Sequence, residues 1–198
     1  MNKDTIKIHY ESLASTNDKA KDIVLGSYTT ACDGTVYYGD ILPLLVTADE
    51  QTAGRGRYGK SFLSPGDVGI YMSYAYEYSY SEEDLLKVTT QVADLILPVL
   101  QAHTSDELYI KPINDIYCNG RKLAGILTER VDYPDNCGRY FLIIGIGINC
   151  EPFAIDPDLT DEEGTILSDK IGFLEPDCSH EQLISELHDA LTALHATL

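Results

Sequence analysis

Apolar positions along this chain fall into short strand-like runs and two longer stretches with helical spacing. Ile6 to Tyr10 reads as a short strand. Ser15 to Val24 reads as a helix with Ser15 as N-cap and Asp18 three residues on, a capping-box arrangement. Leu44 to Ala48 is an apolar run bounded by Pro43 and Asp49, the mark of a buried strand, and Val68 to Tyr76 resumes as strand. Ser81 opens a helix with Glu82, Glu83 and Asp84 in its first turn, where the helix dipole favours anions. Leu85, Val88, Val92, Leu95, Ile96 and Val99 form its buried stripe, and Pro98 is expected to kink or end it. Two strands are expected next, around Arg121–Arg130 and at Arg139–Asn149, the second carrying an apolar run that predicts burial on both faces. Ser179 with Gln182 caps a last helix bearing Leu183, Ile184, Leu187, Leu191 and Leu194.

Three stretches lack any period. Residues 26–40 read as a loop, 54–69 hold five glycines and a proline, and 151–177 are irregular and acidic. No repeat, low-complexity segment or domain boundary appears, so residues 1–198 are expected to form a single domain. The element order predicts an α+β fold, a mostly antiparallel or mixed sheet with helices packed on one face.

Composition adjusts this picture. With 198 residues and 44% hydrophobic content the chain can bury a core. Its net charge of −18, from 32 Asp+Glu against 14 Lys+Arg, argues against nucleic acid or an anionic membrane surface as partner. Six of those 14 basic residues nevertheless lie in two short segments: Arg55, Arg57 and Lys60, then Lys111, Arg121 and Lys122, with Asp115 the sole acid among them. That concentration suits one small anionic ligand. The polar first twenty residues show no signal peptide, and no apolar run reaches the roughly 18 residues a membrane helix needs, so a cytoplasmic location is expected. Five widely spaced cysteines without a CxxC pair read as free thiols. The histidines lack ligand spacing; His188 and His195, seven apart, read as solvated helix positions, and no metal site is predicted directly.

The run Gly54-Arg-Gly-Arg-Tyr-Gly59-Lys60-Ser61 matches two phosphate-binding patterns, GxxxxGK[ST] and GxGxxG. Both require a helix to follow, because its N-terminus holds the phosphate. Here Phe62 to Gly69 contains three helix breakers, which argues against either reading and leaves a P-loop NTPase the most distant alternative. What remains is a glycine-rich loop allowing close backbone approach, armed with two forked guanidinium donors for phosphate or carboxylate.

Several blocks together resemble the catalytic domain of biotin protein ligases: Ser15-Thr16-Asn17, the stretch from Asp49 to Gly59 with Ser64-Pro65, Lys111-x-x-Asn114-Asp115, the stretch from Asn119 to Glu129, and Gly145-Ile146-Gly147-Ile148-Asn149. They occur in the family's order over about residues 8–150. The resemblance implies a class II synthetase-like fold and a two-step reaction. Biotin and Mg·ATP would give biotinyl-5′-AMP, and a carrier-protein lysine would then take the biotin. Lys111 and Arg57 would be catalytic, Lys111 between the biotin carboxylate and the α-phosphate, Arg57 holding the adenylate. Ser15, Thr16, Gln51, Arg55 and Gly125 would bind biotin. Gly54, Gly56, Arg57, Gly59, Asn114, Gly147 and Asn149 would bind the nucleotide. The implied cofactors are ATP and Mg2+, with biotin as substrate; the implied protein partner is a biotin carboxyl carrier domain, and a homodimer is left open.

The pattern also departs from the family. Lys-Trp-Pro-Asn-Asp stands here as Lys111-Pro112-Ile113-Asn114-Asp115, and Phe62 takes the place of a common tryptophan. Family members continue into a small C-terminal domain, which is not expected after Leu198, and some carry an N-terminal DNA-binding domain, for which no room is expected here, nor a repressor role. Residues 151–198 hold 12 acids and one lysine, unfavourable towards an acidic carrier. The alternatives are a non-catalytic biotin- or nucleotide-binding relative and a lipoate ligase or transferase.

Overall fold

The computed structural model describes residues 4–30, 36–39, 41–78, 85–133, 140–160 and 164–197. Seven strands, β1 (Ile6–Leu13), β4 (Leu44–Gln51), β5 (Gly69–Tyr78), β6 (Leu108–Lys111), β7 (Asp115–Cys118), β8 (Arg121–Asp132) and β9 (Tyr140–Asn149), form one sheet in the order β1-β4-β5-β9-β8-β7-β6. β2 (Tyr28–Thr30) and β3 (Val36–Tyr38) make a separate antiparallel ribbon, which corrects the loop expected over 26–40. Three helices complete the order: α1 (Thr16–Gly26), α2 (Leu85–Gln101) and α3 (His180–Thr197).

β1 pairs with β4 in parallel, and the other neighbours in the sheet are antiparallel. Parallel neighbours need a crossover connection, and α1 lies in it. Its start is where the pattern placed it: Ser15 is the N-cap, and the Asp18 N–H donates to Ser15 Oγ at 3.5 Å. Alternation along the strands sorts their side chains onto two faces. Leu45, Tyr74, Tyr76, Leu142 and Ile144 meet Val88, Val92 and Ile96 of α2 and Leu183, Leu187 and Leu191 of α3. Leu44, Val46, Ala75, Phe141 and Ile143 meet Ala20 and Val24 of α1 on the opposite face. The α+β class and the two-sided burial of β9 are as expected. Helices on one face holds for α2 and α3 and is corrected for α1, which the crossover carries to the other side.

Other differences have local causes. Pro98 sits inside α2 without ending it. The Ser81 cap falls outside the described residues. β6 and β7, four residues each, went unseen because so short a run has no measurable period. The two-residue Asn119-Gly120 turn, with both φ positive, joins β7 to β8 and is the local signal that marks them.

His188 is buried and His195 half-buried, which corrects the solvated positions expected for both. His188 is buried with Nε2 3.0 Å from Thr5 Oγ1, and the His195 ring lies 4.4 Å from that of Tyr76, with Nδ1 3.3 Å from the Tyr74 hydroxyl. Tyrosines on the core side of β5 bring buried hydroxyls that recruit polar neighbours, and desolvation depresses both imidazole pKa values. His103, at the end of α2, braces α3: its nitrogens lie 2.6 Å from Glu186 and 2.8 Å from Asp177, and those hydrogen bonds raise its pKa. Cys118, Cys150 and Cys178 are unpaired, and desolvation pushes Cys150 up to about 12.

Candidate ligand-binding site

The apolar row on the α1 face of β9 stops at Ile143. The next residues on that face are Gly145, paired with Ser73 and Leu127, and Gly147, paired with Tyr71 and Gly125. Pairing through β9 is unbroken on both sides, so the glycines do not kink the strand; they vacate side-chain space. Asn17 and Phe62 occupy it. A Cβ on Gly145 would overlap Asn17 Oδ1, and one on Gly147 would lie 2.7 Å from the Phe62 ring. The result is a pocket lined by the start of α1, the glycine loop and the open stretch of β8 and β9.

One end of the pocket is lined by uncharged hydrogen-bonding groups, with an ion-paired Arg55 at its rim. Thr16 donates from its N–H and its hydroxyl to Gln51 Oε1, at 2.9 and 3.1 Å, and Gln51 Nε2 donates to Ser64 Oγ at 2.9 Å. Ser73 Oγ lies 2.8 Å from Thr16 Oγ1 and 2.5 Å from Asn17 Oδ1. Asn17 Nδ2 donates to Glu129 Oε2 at 2.7 Å, and Arg55 donates to Glu129 and to Asp18 at 3.1 and 2.5 Å. A continuous chain thus runs from Gln51 through α1 to Arg55. The chain is buried at Ser73, Thr16 and Asn17 and exposed at Arg55, so its α1 end is the more rigidly held.

The other end is cationic. The glycine loop closes on itself, with the Phe62 N–H donating to the Gly54 carbonyl at 2.9 Å and the Gly56 N–H to Lys60 at 2.7 Å. A 3₁₀ turn at Arg57–Gly59 then aims Arg57 Nη1 at Asn114 Oδ1, 3.3 Å away, and no helix follows Ser61. Asn114 is fixed by donating to the Ile126 carbonyl at 2.9 Å. Lys122 Nζ sits 2.8 Å from Asp115 and 5.9 Å from the centre of the Phe62 ring.

Of the expected site residues, Ser15, Thr16, Gln51, Arg55, Gly56, Asn114, Gly125 and Gly147 line the pocket. Gly54 underlies the loop, where a Cβ would lie 2.7 Å from Ser64 Oγ; Arg57 reaches in through Asn114, and Gly59 holds the turn at φ +76°. Asn149 is buried beneath, its Nδ2 donating to the Lys122 carbonyl at 3.4 Å. Lys111 stands exposed on β6, its Nζ 4.9 Å from the centre of the Tyr117 ring. Asn17, Phe62 and Lys122 line the pocket although no role was read for Asn17 or Lys122. Among the described residues around the pocket, Asp18, Glu129 and Asp115 are each paired with a protein cation. A divalent cation would therefore arrive on a ligand's phosphates, with Asp115, beside Lys122, an acid to share it.

Residues 42–149, more than half of the chain, match the model of the Biotin/lipoate A/B protein ligase family. The bifunctional ligase/repressor BirA of Bacillus spizizenii is 32% identical over 166 residues, covering 83% of this chain and 47% of that protein. The biotin–[acetyl-CoA-carboxylase] ligase of Mycobacterium tuberculosis is 31% identical over 128 residues, 61% of this chain and 45% of that one. This chain therefore spans less than half the length of these curated relatives. The biotin protein ligase from Aquifex aeolicus, solved in complex with biotin and ATP, superposes with a TM-score of 0.66 at 25% identity, over 95% of this chain and 69% of that one. Among the described residues, no helix is long and apolar enough to cross a membrane.

Proposed function

Since the chain belongs to the biotin/lipoate A/B protein ligase family and corresponds to a biotin protein ligase catalytic domain, we propose that it activates biotin with ATP and passes the acyl group to a carrier-protein lysine. The observation that carries this reading is the polarity of the pocket. Its neutral end, Gln51, Thr16 and Ser15, suits a ureido ring, which has two N–H donors and one carbonyl and must be fully paired once desolvated. Its cationic end, with Arg57 and Lys111 beyond it, suits the meeting of a carboxylate with a triphosphate.

A carboxylate oxygen of biotin attacks the α-phosphorus of ATP, the bond to the β-phosphate oxygen breaks, and pyrophosphate leaves. Biotinyl-5′-AMP remains, Arg57 and the loop around Gly54, Gly56 and Gly59 holding its phosphate and Asn149 and Gly147 its nucleoside side. A carrier lysine amine then attacks the acyl carbon and AMP departs. Mg2+ entering with ATP would supply charge shielding of the phosphates, and Asp115 would be the acid to share it. No step needs a covalent enzyme nucleophile; the protein supplies position and preorganised positive charge. Each such donor is worth roughly 3–4 kcal/mol in comparable sites.

Biotin-dependent exchange of labelled pyrophosphate into ATP tests the first half. We expect exchange with biotin and background with lipoate. Exchange with lipoate alone would move the chain to the other branch of the family. No exchange with either would leave a binding relative.

A further inference from the structure

We propose that His103, Asp177 and Cys178 bind Zn2+ at a second site, which shares no residue with the ligand pocket. An imidazole nitrogen, a carboxylate oxygen and the Cys178 Sγ lie within 4.8 Å of one another there. Tetrahedral Zn2+, with bonds of about 2.0–2.3 Å, spaces its ligand atoms roughly 3.3–3.6 Å apart. Closing the three donors onto one ion therefore takes shifts of about an ångström. Nitrogen and sulfur beside a single carboxylate suit zinc; magnesium and calcium want oxygen alone.

The imidazole is already oriented for this. His103 Nδ1 lies 2.8 Å from Asp177 Oδ1 and so faces the cluster, while Nε2 lies 2.6 Å from Glu186 Oε2 on the other side. With Nε2–H donating to Glu186, the lone pair of Nδ1 is free for the ion. A carboxylate behind a histidine in this way fixes the tautomer and ring orientation and raises the basicity of the ligand. Glu186 is held in turn, its Oε1 accepting from Gln182 Nε2 at 3.0 Å.

Two distant segments supply the donors, and both are anchored. Just past α2, the His103 N–H donates to the Leu100 carbonyl at 3.1 Å. Asp177 and Cys178 directly precede Ser179, whose Oγ and carbonyl accept from the first turn of α3 at 3.2 and 3.1 Å. Cys178 packs against the core shared by α2 and α3, whereas Asp177 is exposed. The ion can thus enter from the Asp177 side, where water completes its coordination. A separation of 74 residues between His103 and Asp177 explains why no ligand spacing marks the cluster in the sequence. In the metal-free chain a protonated imidazole joins the two carboxylates. The ion takes the place of the Nδ1 proton and of the thiol proton, both passing to solvent, and ties the end of α2 to the start of α3.

Thermal unfolding of the intact, chelator-stripped chain tests this, with added Zn2+ or Mg2+. Zn2+ about a hundredfold above its Kd should raise Tm by roughly 5–10 °C, and Mg2+ should not. Co2+ should give a thiolate-to-metal absorption band that is absent from Cys178→Ser. That variant should also lose the Zn2+ shift while its metal-free Tm stays near wild type. Asp177→Asn, at an exposed side chain, should shrink the Zn2+ shift without lowering the metal-free Tm. Glu186→Gln should keep the cobalt band and weaken Zn2+ binding about tenfold, as befits a positioning residue. Absence of the cobalt band, or its survival in Cys178→Ser, would overturn the assignment. An equal Tm shift with Mg2+ would do so too, since it would reflect the acidic surface and not this donor set.

Discussion

The two faces of the central sheet are built from the same strands and do opposite things. On the α2/α3 face, Leu142, Ile144 and Ile146 continue one apolar surface, sealed by Val92, Ile96 and Leu187. On the α1 face the same strand begins alike, with Phe141 and Ile143, and then changes to Gly145 and Gly147. The apolar half of that face packs a helix; the glycine half admits polar side chains. One strand thus serves stability on one side and recognition on the other, and a single residue step separates the two.

Neighbouring substitutions should therefore have unlike effects. Ile144→Ala, on the sealed face, should cost about 2–5 kcal/mol of unfolding free energy in urea, with pyrophosphate exchange per folded molecule retained. An equal loss of exchange would break the distinction. Gly145→Ala, one position on, should lower exchange by about 100-fold, because its Cβ displaces Asn17 and a displacement near 1 Å can cost that much. Its stability should fall by less than that of Ile144→Ala; a reversed order would show that the glycine serves packing.

The smallest effect concerns pH. His103 has a raised pKa, so its brace to Glu186 and Asp177 is present below about pH 6.5 and lost as pH rises through its folded value. His188 and His195 have lowered values, so their neutral burial is cost-free above about pH 6.5 and destabilising as pH falls below it. Thermal stability should decline on both sides of near-neutral pH, and His103→Asn should flatten the alkaline arm alone. An unchanged alkaline arm in that variant would remove the brace from the account.

Much of this division can be read from residue order. Helical spacing located α1, α2 and α3, and the Ser15 and Ser179 caps are formed, Gln182 N–H donating to Ser179 Oγ at 3.2 Å. Gln51, Thr16, Asn114 and Gly125, far apart in sequence, meet in one pocket. What stayed hidden has physical causes. β6 and β7 are shorter than a detectable period. The crossover that puts α1 on its own face is a property of strand order, which no local pattern carries. Lys122 was masked by a bulge at Leu123, where Tyr117 pairs with Lys122 but Ile116 with Ala124, since strict alternation assigns position 122 to the core. His195 answers to the Tyr74 hydroxyl and His188 to the Thr5 hydroxyl, each more than a hundred residues away.

The overlap between Asn17 and the missing Cβ of Gly145 also bears on how this site could change over time. The amide and the empty position share one volume, although they lie on different elements and far apart in sequence. A side chain gained at 145 is tolerable where 17 has already become small, and a shortened residue at 17 leaves a hole that only 145 can fill. Neither position can drift alone. Descendants of this chain that alter the floor of the pocket would be expected to carry both changes, made in an order that passes through the hole rather than the clash.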